Sequence, residues 1–264
     1  MFIYNTECNY YVINFFIINN AKNMNSQRFY TTLQKGTTHT LHCQDSFLTY
    51  LTKANLFFSV VADGCSGGID SQVASSLTCK LIRKILKENS FNENFLFDCI
   101  GKKVISQFMV ELKQVKEQLR LSQDELLSTL ILSVWKEGNL WVSVLGDGVV
   151  SIQDKISIFD QQNQPDYPVY HLSDDEDNLQ LYLNSQILKA ENVREFSIST
   201  DGILSFKSFE EPASDNSELV LPYFLTDNYL STSMAMLSRK CNILHQKYGL
   251  QPADDLAIVR FKSC

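Results

Sequence analysis

Residues 56–62 read LFFSVVA, Asp63-Gly64 follow at once, and residues 65–77 continue CSGGIDSQVASSL. A short run of seven residues, apolar but for Ser59, rich in β-branched and aromatic side chains and halted by Asp-Gly, predicts a buried strand that meets a turn. Beyond the glycine-bearing loop, Ser71 is placed to cap a helix in which Val73, Leu77, Leu81 and Ile85 recur every four residues. The pattern is strand, glycine loop and helix, with an aspartate at the hinge. An acid there is stiffly held yet reaches solvent, and the glycine beside it lets a backbone group or a ligand come close.

Downstream, Ile100, Val104, Phe108, Leu112, Val115 and Leu119 form one apolar stripe, with Lys102, Lys103, Lys113, Lys116 and Glu117 off it, which predicts a second core-facing helix. From residue 129 the period becomes strand-like, over 129–135, 140–145 and 149–153. The turns Glu137-Gly138-Asn139 and Gly146-Asp147-Gly148 separate these segments, and the expectation is a meander. Residues 160–178 are polar, proline-bearing and acidic and read as a solvated excursion, its SDDEDN run a loop rather than a metal cage. A strand over 193–200, a polar stretch at 208–218, a helical segment around 228–248 and a final strand over 256–261 complete the chain. With no repeat and no interdomain linker, this is an α+β layered domain with antiparallel sheets. Residues 1–23 read as an N-terminal extension, and the domain is taken as 30–264.

Composition narrows the function. The 264 residues carry 23 Lys+Arg against 30 Asp+Glu, a net charge of −7, which argues against a nucleic-acid binder, for which a basic stripe is the footprint. No apolar run nears the roughly 20 residues needed to span a bilayer, and the first nine residues carry Glu7 and no Lys or Arg, unlike a secretory signal. The seven cysteines, at 8, 43, 65, 79, 99, 241 and 264, contain no CxxC and no tight cluster. That spacing fits neither a zinc ribbon nor a disulfide framework and points to a reducing, cytoplasmic setting. A chain of this length buries roughly 70–75% of its unfolded surface and needs no such staples.

Four aspartates share one grammar, an acid at a strand end, three of them beside a glycine: Asp63 (SVVADG), Asp147 (VLGDGVV), Asp201 (SISTDGI) and Asp254 (PADDLAIV). Singly each Asp-Gly reads as a turn. Together they equally suit hard divalent cations, which take oxygen ligands and fill remaining positions with water.

In order and flanks these segments resemble the metal-dependent PP2C (PPM-type) serine/threonine protein phosphatases, in their bacterial branch. VVADG with its loop and helix is similar to that family's central metal motif, and GTTHTLHCQDSF (36–47) resembles its opening G-x-x-H…QD motif. STLILSVWKEGNLWVSVLGDG (128–148) is similar to its T-L strand and GD turn, ISTDGI (198–203) to its SDG motif, and PADDLAIVRF (252–261) to its closing strand. The resemblance implies two antiparallel β-sheets packed as a sandwich flanked by helices, a four-layer αββα arrangement. It implies Mn²⁺ or Mg²⁺ as cofactor, two ions with a weaker third. Asp63 would bridge the two ions with the Gly64 carbonyl on the second, Asp201 and Asp254 would complete the first, and Asp45 would hold metal-bound water. Asp147 is either near the third ion or a turn residue. Asp255 is expected to face away, since adjacent strand residues point to opposite sides.

The implied activity is hydrolysis of phosphoserine and phosphothreonine in proteins by attack of metal-activated water, opposing a serine/threonine kinase, in a monomer. The chain lacks the CxxxxxR of cysteine phosphatases and the DxDxT of aspartyl-phosphate enzymes. It also departs from many eukaryotic members. Cys65 stands where they have a histidine thought to act as general acid, and Thr40, Leu41 and His42 occupy the stretch where they have a phosphate-clamping arginine. His39 is taken with Asp45 and Asp63 as the catalytic set; His39 and His42 each read as a substitute acid or donor, or as surface loop residues. The alternative function is a catalytically weak or inactive PP2C-like module that binds a phosphoprotein or regulatory partner.

Overall fold

A computed structural model describes residues 27–89, 91, 97–162, 164–208 and 217–263; the expected extension at 1–23 and most of the 208–218 stretch lie outside them. Strands and helices are numbered in chain order. The strand anticipated before Asp63 is β3 (Phe57–Ala62), inside a five-stranded antiparallel sheet ordered β2 (Ser46–Leu51), β3, β4 (Leu130–Lys136), β5 (Asn139–Leu145), β8 (Ile187–Ala190). The second sheet is ordered β1 (Gln27–Gln34), β12 (Leu256–Ser263), β9 (Glu195–Ser199), β6 (Gly148–Ile152), β7 (Lys155–Phe159), again antiparallel. A short pair, β10 (Phe206–Ser208) with β11 (Leu250–Pro252), stands apart.

Side chains alternate along a strand, and β3 uses both faces. Phe57 and Val61 enter the core between the sheets with Phe196, Ile198, Val259 and Phe261. Phe58 and Val60 face the helices α1 (Ser71–Glu88) and α2 (Phe97–Leu119), among Ile82, Ile85, Val104 and Phe108. A strand buried on both sides reads as a continuous apolar run instead of an alternating one. Tyr182 and Leu183 of α3 (Glu176–Asn184) join the same helix-side core. On the other sheet, Phe224 of α4 (Ser217–Leu225) and Leu237 and Leu244 of α5 (Met236–Tyr248) cover Tyr30, Val149 and Ile258. The layers are helices, sheet, sheet, helices, the αββα sandwich that the sequence suggested.

Several local expectations need correction. The segments 129–153 are not one meander: β4 and β5 pair in the first sheet, while β6 leaves it to pair with β7 and β9 in the second. The crossing is made at Gly146 (φ 95°) and Gly148 (φ 148°), where only glycine turns the chain without strain. Ser71 is not the cap of α1; that position is Asp70, in left-handed conformation, and Ser71 Oγ donates to the Cys65 carbonyl. Val73 is half-exposed and the inner face runs through Ala74, Thr78, Leu81, Ile82 and Ile85, while Leu119 at the end of α2 is exposed. Residues 160–178 are not a solvated excursion, because Tyr167, Val169 and Leu172 are buried in the helix-side core. The acidic run is the start of α3: Asp175 Oδ1 accepts from the Asn178 N–H at 2.9 Å, with Glu176 and Asp177 in the first turn, where the helix dipole favours acids. The helical segment near 228–248 is confined to α5.

Candidate active site

Antiparallel register gathers the acids. Ala62 at the end of β3 faces Ser46 at the start of β2, and Ser199 at the end of β9 faces both Ile258 of β12 and Val149 of β6. Asp45, Asp63, Asp147, Asp201 and Asp254 stand just beyond these residues, so both sheets deliver carboxylates to one end of the sandwich.

Each is fixed by local bonds. The Asp63 N–H donates to Thr129 Oγ1 at 3.0 Å and its carbonyl accepts from the Thr129 N–H at 2.8 Å. Gly64 is required by packing, since a Cβ there would lie 2.1 Å from the Ser71 carbonyl oxygen at the head of α1. Asp45 is buried; its Oδ2 accepts from Thr200 Oγ1 at 2.6 Å, and the same hydroxyl accepts from the Ala257 N–H at 2.9 Å. Thr200 thus ties Asp45 of one sheet to β9 and β12 of the other. Thr200 is a site residue that the motif ISTDGI holds without marking, its one signal a hydroxyl just before Asp-Gly. Asp201 opens a 3-10 turn, Asp201–Leu204. The Asp254 N–H donates to Ser205 Oγ at 2.9 Å, and its side chain is 46% exposed. Asp147 is buried and its Oδ1 accepts from the Gln161 N–H at 2.9 Å, so it anchors the segment that leads to Tyr167.

The cluster repels itself. Burial first, then the charges of Asp45, Asp201 and Asp254, hold Asp63 well above the ordinary carboxylate range. Asp45 is pushed up to about 8, chiefly by burial, and Asp201 to about 6 by burial and then by Asp254 and Asp147. Asp45 and Asp63 act on each other within this cluster, and the buried Asp45 Oδ1 has no donor from the protein. A buried acceptor in that state calls for a proton or a cation. Among the described residues no three His, Cys, Asp or Glu side chains close a protein-only metal shell.

Asp255 does not face away. Its side chain is fully buried and accepts from the Gly36 N–H at 2.6 Å and the Gln44 N–H at 2.5 Å, and it meets His39 Nδ1 at 2.7 Å. Strand alternation does not govern it, because it precedes β12. His39 is drawn to this end, whereas His42 is exposed. Cys65 and Tyr167 belong to the helix-side core beside this end, and the Tyr167 hydroxyl has its pKa raised by burial and then by Cys65.

No curated protein sequence matches the chain. In fold it is similar to the serine/threonine phosphatase Stp1 from Staphylococcus aureus, with a TM-score of 0.56 at 10% identity over 89% of this chain and 94% of that one. It is likewise similar to the PP2C phosphatase domain of SpoIIE from Bacillus subtilis (TM-score 0.55, 20% identity, 90% of this chain and 64% of that one). PppA from Pseudomonas aeruginosa gives a TM-score of 0.54 at 17% identity over 90% and 98% of the two chains. In sequence, the family profile described as Protein phosphatase 2C matches residues 35–237, a span that runs from the loop before Asp45 through the turn at Asp201. Matched over well more than half its length by that profile, and folded like those enzymes, the chain belongs to the protein phosphatase 2C family.

Proposed function

We propose that the chain is a metal-dependent phosphomonoester hydrolase that removes phosphate from phosphoserine and phosphothreonine in proteins. The reading is carried by Asp45, buried with its Oδ1 left without a donor, beside the half-buried Asp63. Mn²⁺ or Mg²⁺ at this end would supply charge neutralisation for the phosphoryl oxygens and a water of lowered pKa as the nucleophile. Asp63, the Gly64 carbonyl, Asp201 and Asp254 are the groups that would hold these ions, with Asp147 the candidate for a weaker third. Asp45, its Oδ2 fixed by Thr200, would accept a hydrogen bond from such a water at its free Oδ1 and orient it. The substrate is a phosphorylated protein presented by an opposing serine/threonine kinase, and the chain acts as a monomer. Free thiols at Cys43, Cys65, Cys79, Cys99 and Cys241 support a reducing, cytoplasmic setting. Among the described residues no helix is long and apolar enough to cross a membrane.

The test is hydrolysis of an aryl phosphate and of a phosphoserine peptide with Mn²⁺, without it and with chelator, beside calorimetric titration of Mn²⁺. Saturable binding and turnover that chelator abolishes are expected for both substrates. Titration without saturable binding removes the metal reading. Binding without turnover leaves the non-catalytic phosphoprotein-binding module.

A further inference from the structure

Helix α1 starts at the site and runs away from it. The carbonyl oxygen of Ser71, its first residue, lies against Gly64, and a rise of about 1.5 Å per residue puts Lys80 and Lys87 about 13 and 24 Å further along the axis. Leu81, Ile82 and Ile85 face the core. Val73, Lys80, Lys84 and Lys87 are exposed, and spacings of seven, four and three residues keep them on one outward face. With Arg83, the helix holds four cations against one acid, Glu88, in a chain whose net charge is −7. Lys80, Arg83, Lys84, Lys87 and Glu88 line an open groove of about 290 Å³. Lys84 is paired with Glu111 of α2 at 2.8 Å, whereas among the described residues Lys80 and Lys87 have no ion-pair partner.

Folding does not call for this row. Cations four residues apart on a helix, as Lys80 and Lys84 are, and Arg83 and Lys87, repel and weaken it. The helix dipole accounts for Lys87 in the last turn but not for Lys80. A face of one sign that leads from a site attracts and steers an anion toward it. Val73, at the site end, is the one large apolar side chain exposed among the described residues of α1, so the face lacks the apolar strip by which a helix lies on a bilayer. We propose that the outward face of α1 is a docking groove for an acidic segment of the phosphoprotein substrate. The inference rests on the phosphatase reading above for what is hydrolysed, and adds which proteins are preferred. At about 3.3 Å per extended residue, carboxylates about four to seven residues from the phosphorylated one reach Lys80 and Lys87.

Two phosphoserine peptides test it, one with Glu and one with Gln at the positions about four to seven residues to either side of the phosphoserine, beside an aryl phosphate too small to reach the groove. The proteins, with Mn²⁺, are wild type, Lys80→Glu/Lys87→Glu, and Lys53→Glu/Lys155→Glu, which makes the same charge change at exposed positions off α1. Wild type at low salt is expected to favour the Glu peptide about 5–10-fold in kcat/KM, through KM, and about 0.5 M salt to remove the preference. Lys80→Glu/Lys87→Glu should lose the preference and keep its rate on the aryl phosphate, and Lys53→Glu/Lys155→Glu should keep both. The groove is overturned by absence of the preference in wild type, by its survival in Lys80→Glu/Lys87→Glu, or by its equal loss in Lys53→Glu/Lys155→Glu. Turnover of neither peptide counts against the phosphatase reading, and fluorescence anisotropy of the unphosphorylated Glu peptide then decides the groove by itself. Binding that Lys80→Glu/Lys87→Glu loses and Lys53→Glu/Lys155→Glu keeps upholds it; equal binding by all three, or none, overturns it. Cosedimentation with phosphatidylserine vesicles that Lys80→Glu/Lys87→Glu abolishes, without a peptide preference, makes a bilayer the occupant and overturns it too.

Discussion

Two clusters of buried charge lie on this sandwich, and the chain treats them oppositely. Arg260 of β12 is fully buried beneath the C-terminal end of α4. Its Nη1 donates to the carbonyls of Phe224 (3.1 Å) and Asp227 (2.7 Å), and its Nη2 to the Thr226 carbonyl (2.7 Å), Asn228 Oδ1 (3.0 Å) and Glu195. Lys240 of α5 joins it, donating to the Asp227 carbonyl at 2.6 Å, to Asp227 Oδ1 at 2.9 Å and to the Tyr223 carbonyl. Two cations thus meet the negative end of a helix and two acids. Burying charge is tolerable when every charge is paired, and apart from Arg260 Nε the chain does that pairing itself. At the carboxylate end it does not: burial and neighbouring acids hold Asp45, Asp63 and Asp201 above the ordinary carboxylate range with no cation from the described residues beside them. A matched cluster is architecture; an unmatched one waits for something from solution.

The largest expected effect is on turnover. Asp63→Asn should lower kcat/KM with Mn²⁺ by about 10⁴-fold, since the central acid is lost, yet leave the metal-free chain at least as stable, because one of several repelling charges is gone. Urea unfolding in chelator measures the second half. A clear loss of metal-free stability would mean that the acids are not strained against one another. Arg260→Met should do the reverse and cost about 3–5 kcal/mol by stranding Glu195 and the helix-end carbonyls; a loss below 1 kcal/mol would erase the contrast.

The smallest effect is the dependence on pH. Asp201 stands at about 6 and Asp45 at about 8, so the folded chain keeps protons that an unfolded carboxylate, titrating near 4, has released. Stability of the metal-free protein should therefore be greatest below about pH 4 as far as these groups are concerned, and fall as pH rises through 6 and 8. Saturating Mn²⁺ should flatten the fall. Thermal melts from pH 5 to 8.5, with and without the ion, decide it.

Legibility in the sequence followed locality. β3 was readable because a strand buried on both faces writes an apolar run, interrupted here only by Ser59, and the acids beyond strand ends were readable because an Asp-Gly turn is spelled by adjacent residues. The passage of the chain from one sheet to the other at Gly146–Gly148 was not, since the same glycines would serve a hairpin. Residues 160–178 hid Tyr167, Val169 and Leu172 among acids and amides, so average polarity concealed three anchors. Asp255 was misjudged by carrying strand parity one residue past the strand. What turns it inward is the loop at 36–44, more than two hundred residues away.

The register of β1 with β12 runs from Gln27 opposite Ser263 to Gln34 opposite Leu256, so an edge of the second sheet joins the two extremes of the described chain. Such a pairing must close a loop of more than two hundred residues before any of its contacts form, which makes it a slow, late step. Asp254 sits at the head of β12 and the loop of His39 and Asp45 follows directly on β1. The carboxylate cluster is therefore assembled last, and a nascent chain on the ribosome can build the first sheet while holding no complete set of acids.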